Sequence, residues 1–150
     1  MVGRDINGVT ADAVIDRLGL AAHPEGGHFR EVYRHRPGGG ERGWVTTIYY
    51  LLAAGEISHW HRIDADEVWH FYAGAPLTLS ICGPENEVRP TVLGTDLQRD
   101  ERPVSVVPAG YWQSAQSLGE WSLVGCTVAP AFEFDGFELA PPDWAPSGEP

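Results

Sequence analysis

The sequence predicts an all-β domain, a sandwich or a barrel, with one short helix near its start. Three observations predict it. Short runs of apolar and β-branched residues are bounded by Gly, Pro, Asn and Asp at short, regular intervals. Only one stretch carries apolar residues at helical spacing. At 150 residues the chain is long enough for one good core and short of two, and it contains no repeat of solenoid period.

Taken in order, residues 1–9 read as a loose lead-in. Ala11, Val14, Ile15 and Leu18 then fall at i, i+3, i+4, i+7, one stripe of a helix over about 10–19. Thr10 suits its N-cap, Asp12 its first turn and Gly19 its stop, and its place is on the outside of the strands. In HPEGGHFRE, Pro24 keeps His23 extended, and Gly26-Gly27 permits a tight turn or a close backbone approach. Phe29, Glu31 and Tyr33 alternate with Arg30, Val32 and Arg34 as in a strand. Trp44 to Leu52 is β-branched and aromatic on both faces, the composition of a buried strand. Further strands are expected over Pro76–Cys82, Val88–Leu93, Val104–Val107, Trp112–Gln116 and Trp121–Val128, with Phe132–Leu139 closing a barrel of about 27–139. The proline-rich stretch 141–150 is expected to fray.

The chain is organised around GEISHWHRIDADEVWHFYAG, Gly55 to Gly74. Strand alternation puts His59 and His61 on one face and Trp60 on the other. If Glu67 opens the next strand of a hairpin and points the same way, Trp69 and Phe71 follow it inward, while Val68, His70 and Tyr72 face outward. Two imidazoles and a carboxylate converging among aromatic walls could bind a divalent metal, or act as an acid–base pair on a small molecule.

Composition narrows the chemistry. Net charge is −11 and all ten basic residues are arginine, so lysine Schiff-base chemistry is excluded and nucleic acid is not an expected partner. No 18-residue apolar run exists to span a membrane, and MVGRDINGVT has no apolar signal core, so a cytoplasmic home is expected. Cys82 and Cys126 are not spaced as a C-x-x-C pair and are expected as buried free thiols.

Two segments resemble the paired motifs of the cupin superfamily: Gly55-x3-His59-x-His61-x5-Glu67-x6-Gly74, and Pro108-x-Gly110-x2-Gln113. The superfamily pattern has three or four residues between the second histidine and the glutamate, where this chain has five. It also has a metal-binding histidine where Gln113 stands. HPEGGHFRE, TTIYYLL, SHWHRIDADEVWHFYAG, VPAGYWQSA and LVGCTVAPAFEFDGFEL are similar to the cupin family DUF985, or Cupin_5. That resemblance implies a double-stranded β-helix (jelly-roll) fold, a homodimer, and a shape related to dTDP-4-dehydrorhamnose 3,5-epimerase; the expected partner is a small-molecule ligand in the barrel.

Candidate catalytic residues are His61 and Glu67, with Tyr49 and Tyr72 as proton donors and Tyr111 as a further one at the rim. Each of these tyrosines could equally be a packed aromatic. Candidate substrate contacts are His23, Glu25, Arg30, Trp69 and Gln113; Arg62, like Arg30, could hold an anionic group. Candidate ligands for one divalent ion (Fe, Mn, Ni or Zn) are His59, His61, Glu67 and Gln113, although an amide oxygen is a poor ligand for zinc or iron. Trp60, Trp112 and Trp121 read mainly as core. Three functions are compatible with these residues: an isomerase or epimerase on a carbohydrate-like or other carbonyl substrate, a metal-dependent oxygenase or lyase, and a binding or sensor module without catalysis.

Overall fold

The computed structural model describes residues 8–147, so the first seven residues of the expected lead-in and the last three of the expected tail lie outside it. The helix α1 spans Ala11–Leu18. Thr10 caps it by accepting from the Ala13 N–H, and Gly19 ends it in the left-handed region.

Eleven strands are formed among the described residues: β1 (Ala21–Ala22), β2 (His28–Arg34), β3 (Thr46–Ala53), β4 (Ile57–Ile63), β5 (Asp66–Gly74), β6 (Leu77–Cys82), β7 (Val88–Leu93), β8 (Val104–Val107), β9 (Trp112–Ser117), β10 (Trp121–Ala129) and β11 (Phe137–Leu139). They form two antiparallel sheets, ordered β1-β2-β3-β10-β5-β8 and β11-β4-β9-β6-β7. Two such sheets closed around one core make a jelly-roll barrel.

The core obeys strand alternation. Tyr50, Leu52, Trp69, Val107, Val124 and Cys126 from the larger sheet meet Leu77, Leu79, Leu93 and Ala115 from the smaller one. β3 is apolar on both faces because its outer side is covered too: Leu51 packs with Val14 of α1, Leu20, Ala73 and Trp121. Both cysteines are buried and neither is in a disulfide.

Three expectations change. β4 and β5 do not pair as a hairpin. β4 pairs with β9 and β11, whereas β5 pairs with β10 and β8, so the turn at 64–65 carries the chain from one sheet to the other. The stretch 132–139 is a strand only over Phe137–Leu139; before it runs a strap bearing Phe132 and Phe134, with a short 3-10 turn at Phe134–Gly136. Arg42 ties this strap down, donating to the Ala131 carbonyl at 2.8 Å and gripping Asp64 through two bonds of 3.0 and 2.8 Å. Finally, the described part of the tail is seated on the barrel. Trp144 lies 4.6 Å from Trp112, ring to ring, and the Pro141 carbonyl meets His59 Nε2 at 2.8 Å. Apolar contact, not composition, decides its order.

Candidate functional site

A cavity of about 140 Å³ opens at one end of the barrel. Glu67 (β5) and His61 (β4) both line it, from opposite sheets, with Cys126 between neighbours on β10 and Glu25 on the loop before β2. Phe29, Ile48, Ile63 and Val128 form much of the wall, and Phe132, Phe134 and Phe137 close over it.

Backbone fit places Glu25. Gly26 and Gly27 have φ of +107° and +79°, and a Cβ on Gly26 would meet the Ile57 carbonyl at 2.2 Å. Only glycine allows so close an approach. The loop is then pinned by His59 N–H donating to the Glu25 carbonyl at 2.9 Å and by the Tyr50 hydroxyl donating to the Gly26 carbonyl. Glu25 Oε2 accepts from Ser58 Oγ at 2.8 Å and lies 2.7 Å from His61 Nδ1. His61 Nδ1 also lies 2.8 Å from the His59 carbonyl. Both neighbours are acceptors, so Nδ1 carries the hydrogen and Nε2 is the ring's other functional atom, without a protein partner among the described residues.

Charge and burial oppose each other here. Burial acts to lower His61, but the charge and hydrogen bond of Glu25, then the charge of Glu67 and the His59 carbonyl, outweigh it and hold His61 at about 9. Burial acts to raise Glu25, yet the charge and hydrogen bond of His61, with lesser help from the Ser58 hydrogen bond, keep it below the usual carboxylate range. Glu67 goes the other way. Burial raises it, His61 lowers it and Glu25 raises it again, giving about 7. His23 lies 3.4 Å from Glu25, but its Nδ1 accepts the Glu25 backbone N–H at 3.1 Å and burial lowers its pKa, so it is neutral, not an ion-pair partner.

Behind Glu67 runs a donor relay. Trp69 Nε1–H donates to Gln113 Oε1 at 2.9 Å, and Gln113 Nε2 donates to Glu67 Oε1 at 2.9 Å. Because the indole can only donate, the amide must face it with oxygen and offer its NH₂ to Glu67. Glu67 Oε1 is thereby held as an acceptor, and a proton on this carboxyl sits on Oε2.

The remaining candidates fall elsewhere. Ser58 pairs with Ala115 and His61 with Gln113, so three steps on β4 match two on β9, a bulge. It puts Ser58 and His61 on the inside and sends both His59 and Trp60 out, His59 to Pro141 and Trp60 to the cluster with Cys82 and Ala140. Gln113 and Trp69 are core residues that hold Glu67 instead of lining the cavity. Tyr49 packs beside α1 and Tyr72 is 51% exposed, so both lie on the outer face of the larger sheet. Tyr111 packs against the core beside Gly83. Arg30 donates to the Leu18 carbonyl, and Arg62 sits over Trp112 and pairs with Glu138, both outside the cavity.

The arginine at the cavity is Arg34. Strict alternation puts it outward with Arg30, but a second bulge between Glu31 and Tyr33 turns it inward beside Glu31. The phenylalanines of the strap are equally hidden; their Phe-x-Phe-x-x-Phe spacing is the one signal the sequence offers.

The donor set does not fit the divalent metal. Of the four candidate ligands, His59 points away and Gln113 has its oxygen committed to Trp69, which leaves only His61 Nε2 and the Glu67 carboxyl at the cavity, too few protein donors to hold the ion. Among the described residues no three His, Cys, Asp or Glu side chains group to hold an ion. No helix of the described chain is long and apolar enough to cross a membrane.

A jelly-roll barrel with polar side chains gathered at one open end is of the cupin class. The chain belongs to the family Cupin_5, Cupin superfamily (DUF985), matching it over residues 12–140. A solved protein of Shewanella oneidensis is 43% identical, with 88% of this chain and 85% of that one covered at a TM-score of 0.84. A hypothetical protein from Leishmania major is 32% identical over 88% of each chain, TM-score 0.80. Oxalate decarboxylase from Bacillus subtilis is 18% identical, covering 79% of this chain and 29% of that one at a TM-score of 0.63, a likeness of fold alone. Comparison with curated proteins finds no match.

Proposed function

We propose that the cavity catalyses proton transfer on a small carbonyl compound, as an isomerase of the tautomerising kind. The observation that carries this is one cavity shared by Glu67, tuned to about 7, and a His61 whose Nδ1 is clamped by Glu25. A base is most effective when its pKa lies near the working pH. Glu67 Oε2 takes the proton from the carbon next to the carbonyl, and the electron pair moves to the carbonyl oxygen. The imidazolium, through Nε2–H, donates to that oxygen and stabilises the enolate charge. Glu67 then returns its proton to the delocalised anion, at the same carbon in simple exchange. Where a double bond is conjugated with the carbonyl, the proton goes to the far carbon of the dienolate, which shifts that double bond and completes the isomerisation.

Epimerisation with inversion needs an acid on the opposite face of the carbanion. Tyr49 and Tyr72, the tyrosines expected in that part, lie outside the barrel. A single carboxyl working on one face favours tautomerisation. The residues do not favour the metal-dependent oxygenase or lyase, because His59 and the Gln113 oxygen are both turned away from the cavity.

The test is deuterium exchange. Aldehydes and ketones incubated with the protein in D₂O should gain deuterium next to the carbonyl, monitored by proton NMR, and Glu67→Gln and His61→Gln should each slow this by about a hundredfold or more. Exchange undiminished in both variants contradicts the proposal, and ligand binding without any exchange leaves the non-catalytic binding module.

A further inference from the structure

The charges lining the cavity are already paired, with one exception. Arg34 is clasped by Glu31, whose oxygens accept from Nε and Nη2 at 2.8 and 3.1 Å. His61 is matched by Glu25 at 2.7 Å. His23 is neutral, with Nδ1 taking the Glu25 backbone N–H. Burial keeps the Cys126 thiol far above its ordinary pKa, so it is protonated and uncharged. Glu67 alone receives no full counter-charge of its own: its Oε1 is met by the neutral Gln113 amide, and it feels His61 only in competition with Glu25. These are the groups facing it from β2, β4, β9, β10 and the loop before β2. The rest of the wall is Phe29, Ile48, Ile63, Val128, the phenylalanine strap and Thr46, whose hydroxyl oxygen accepts from the Phe132 N–H at 3.0 Å, around about 140 Å³.

Such a space treats ligands unequally. An anion entering it meets no unpaired cation and lies against a buried carboxylate, where like charges repel at low dielectric. A polyhydroxylated ligand would strand most of its hydroxyls against phenyl and aliphatic carbons. A small uncharged molecule with one polar oxygen satisfies His61 Nε2–H and lays its carbons on the apolar wall.

We infer that the ligand of this cavity is a small, uncharged, largely apolar carbonyl compound, and that Glu67 is the residue that turns anions away. This deepens the proton-transfer reading and rests on it for the carbonyl. It separates this chain from a carbohydrate or dicarboxylate substrate.

The experiment uses two probes of nearly equal size, acetophenone and benzoate, with binding to the full chain read by ligand-observed NMR at about pH 8. Acetophenone should bind and benzoate should bind at least about tenfold more weakly. Glu67→Gln, its fold checked by thermal melting, should tighten benzoate about tenfold and leave acetophenone within about threefold. The unmodified chain gives the same answer without the variant. Benzoate should tighten as the pH falls from about 8 to about 6, where it is still an anion but Glu67 gains its proton, while acetophenone should not change. Benzoate binding as tightly as acetophenone at the higher pH, benzoate indifferent to Glu67→Gln and to pH, or neither probe binding would each overturn the inference. Acetophenone bound but not deuterated supports the ligand class and removes the catalytic reading; deuterium exchange alongside tight benzoate binding removes the ligand class alone.

Discussion

Replacing Glu25 by glutamine keeps its shape and removes its charge. His61 sits at about 9 chiefly because that charge, 2.7 Å from Nδ1, with lesser help from Glu67 and the His59 carbonyl, overrides a burial that would put the imidazole below its ordinary value of 6.5. The rise from 6.5 to about 9 corresponds to about 3 kcal/mol in favour of the imidazolium at about 1.4 kcal/mol per unit. In Glu25→Gln we expect His61 to fall by about two and a half units or more, below its ordinary value of 6.5, and to be mostly neutral at neutral pH. Nitrogen-15 NMR of the imidazole against pH reads this directly. Stability should respond with a definite sign. A group whose folded pKa is raised stabilises fully below its unfolded value and loses that contribution as pH climbs through the folded one. The wild-type margin over Glu25→Gln should therefore be largest near pH 6 and shrink between 6.5 and about 9. A His61 still titrating near 9 in the variant would refute the reasoning.

Glu67 carries the same sign with pH, in a lower window. Its folded pKa is raised to about 7 from 4.5, so the folded chain holds a proton that the unfolded chain has released, and stability falls as pH rises across that window. Glu67→Gln should melt several degrees higher than wild type at about pH 8 and about the same at about pH 4, by calorimetry at both; a lower melting temperature at the higher pH contradicts the burial argument. Tyr49→Phe and Tyr72→Phe should leave deuterium exchange within about twofold of wild type, and a hundredfold loss in either would return a tyrosine to the mechanism. Gly26→Ala, with a Cβ 2.2 Å from the Ile57 carbonyl at a φ of +107°, should cost about 2 kcal/mol or more in urea unfolding and release His61 from its high pKa. An unchanged midpoint would mean the loop has room to shift.

Much of the fold is legible in the residues. Period-2 alternation over Glu67, Trp69 and Phe71 gives their inward face, and the caps Thr10 and Gly19 bound the helix. What alternation cannot show is a bulge, because one inserted residue reverses every side chain beyond it. That single fact hides the separation of His59 from His61 and the inward turn of Arg34. Gln113 invites a ligand reading from its place in the motif; its hydrogen bonds to Trp69 and Glu67 join β9 to β5 across the barrel, and no local pattern encodes such a contact. The strap residues Phe132 and Phe134 read as strand because aromatic composition favours strands, whereas Arg42, nearly ninety positions upstream, holds the segment across the cavity mouth.

The most direct measurement is the carbon-13 titration of the Glu67 side-chain carboxyl in the unliganded protein. A buried acid facing a clamped imidazolium should take up its proton near pH 7, and its midpoint should rise when Gln113→Leu removes the amide donor. A midpoint near 4.5, unmoved by that substitution, would show a solvated surface acid and no acid–base couple in this cavity.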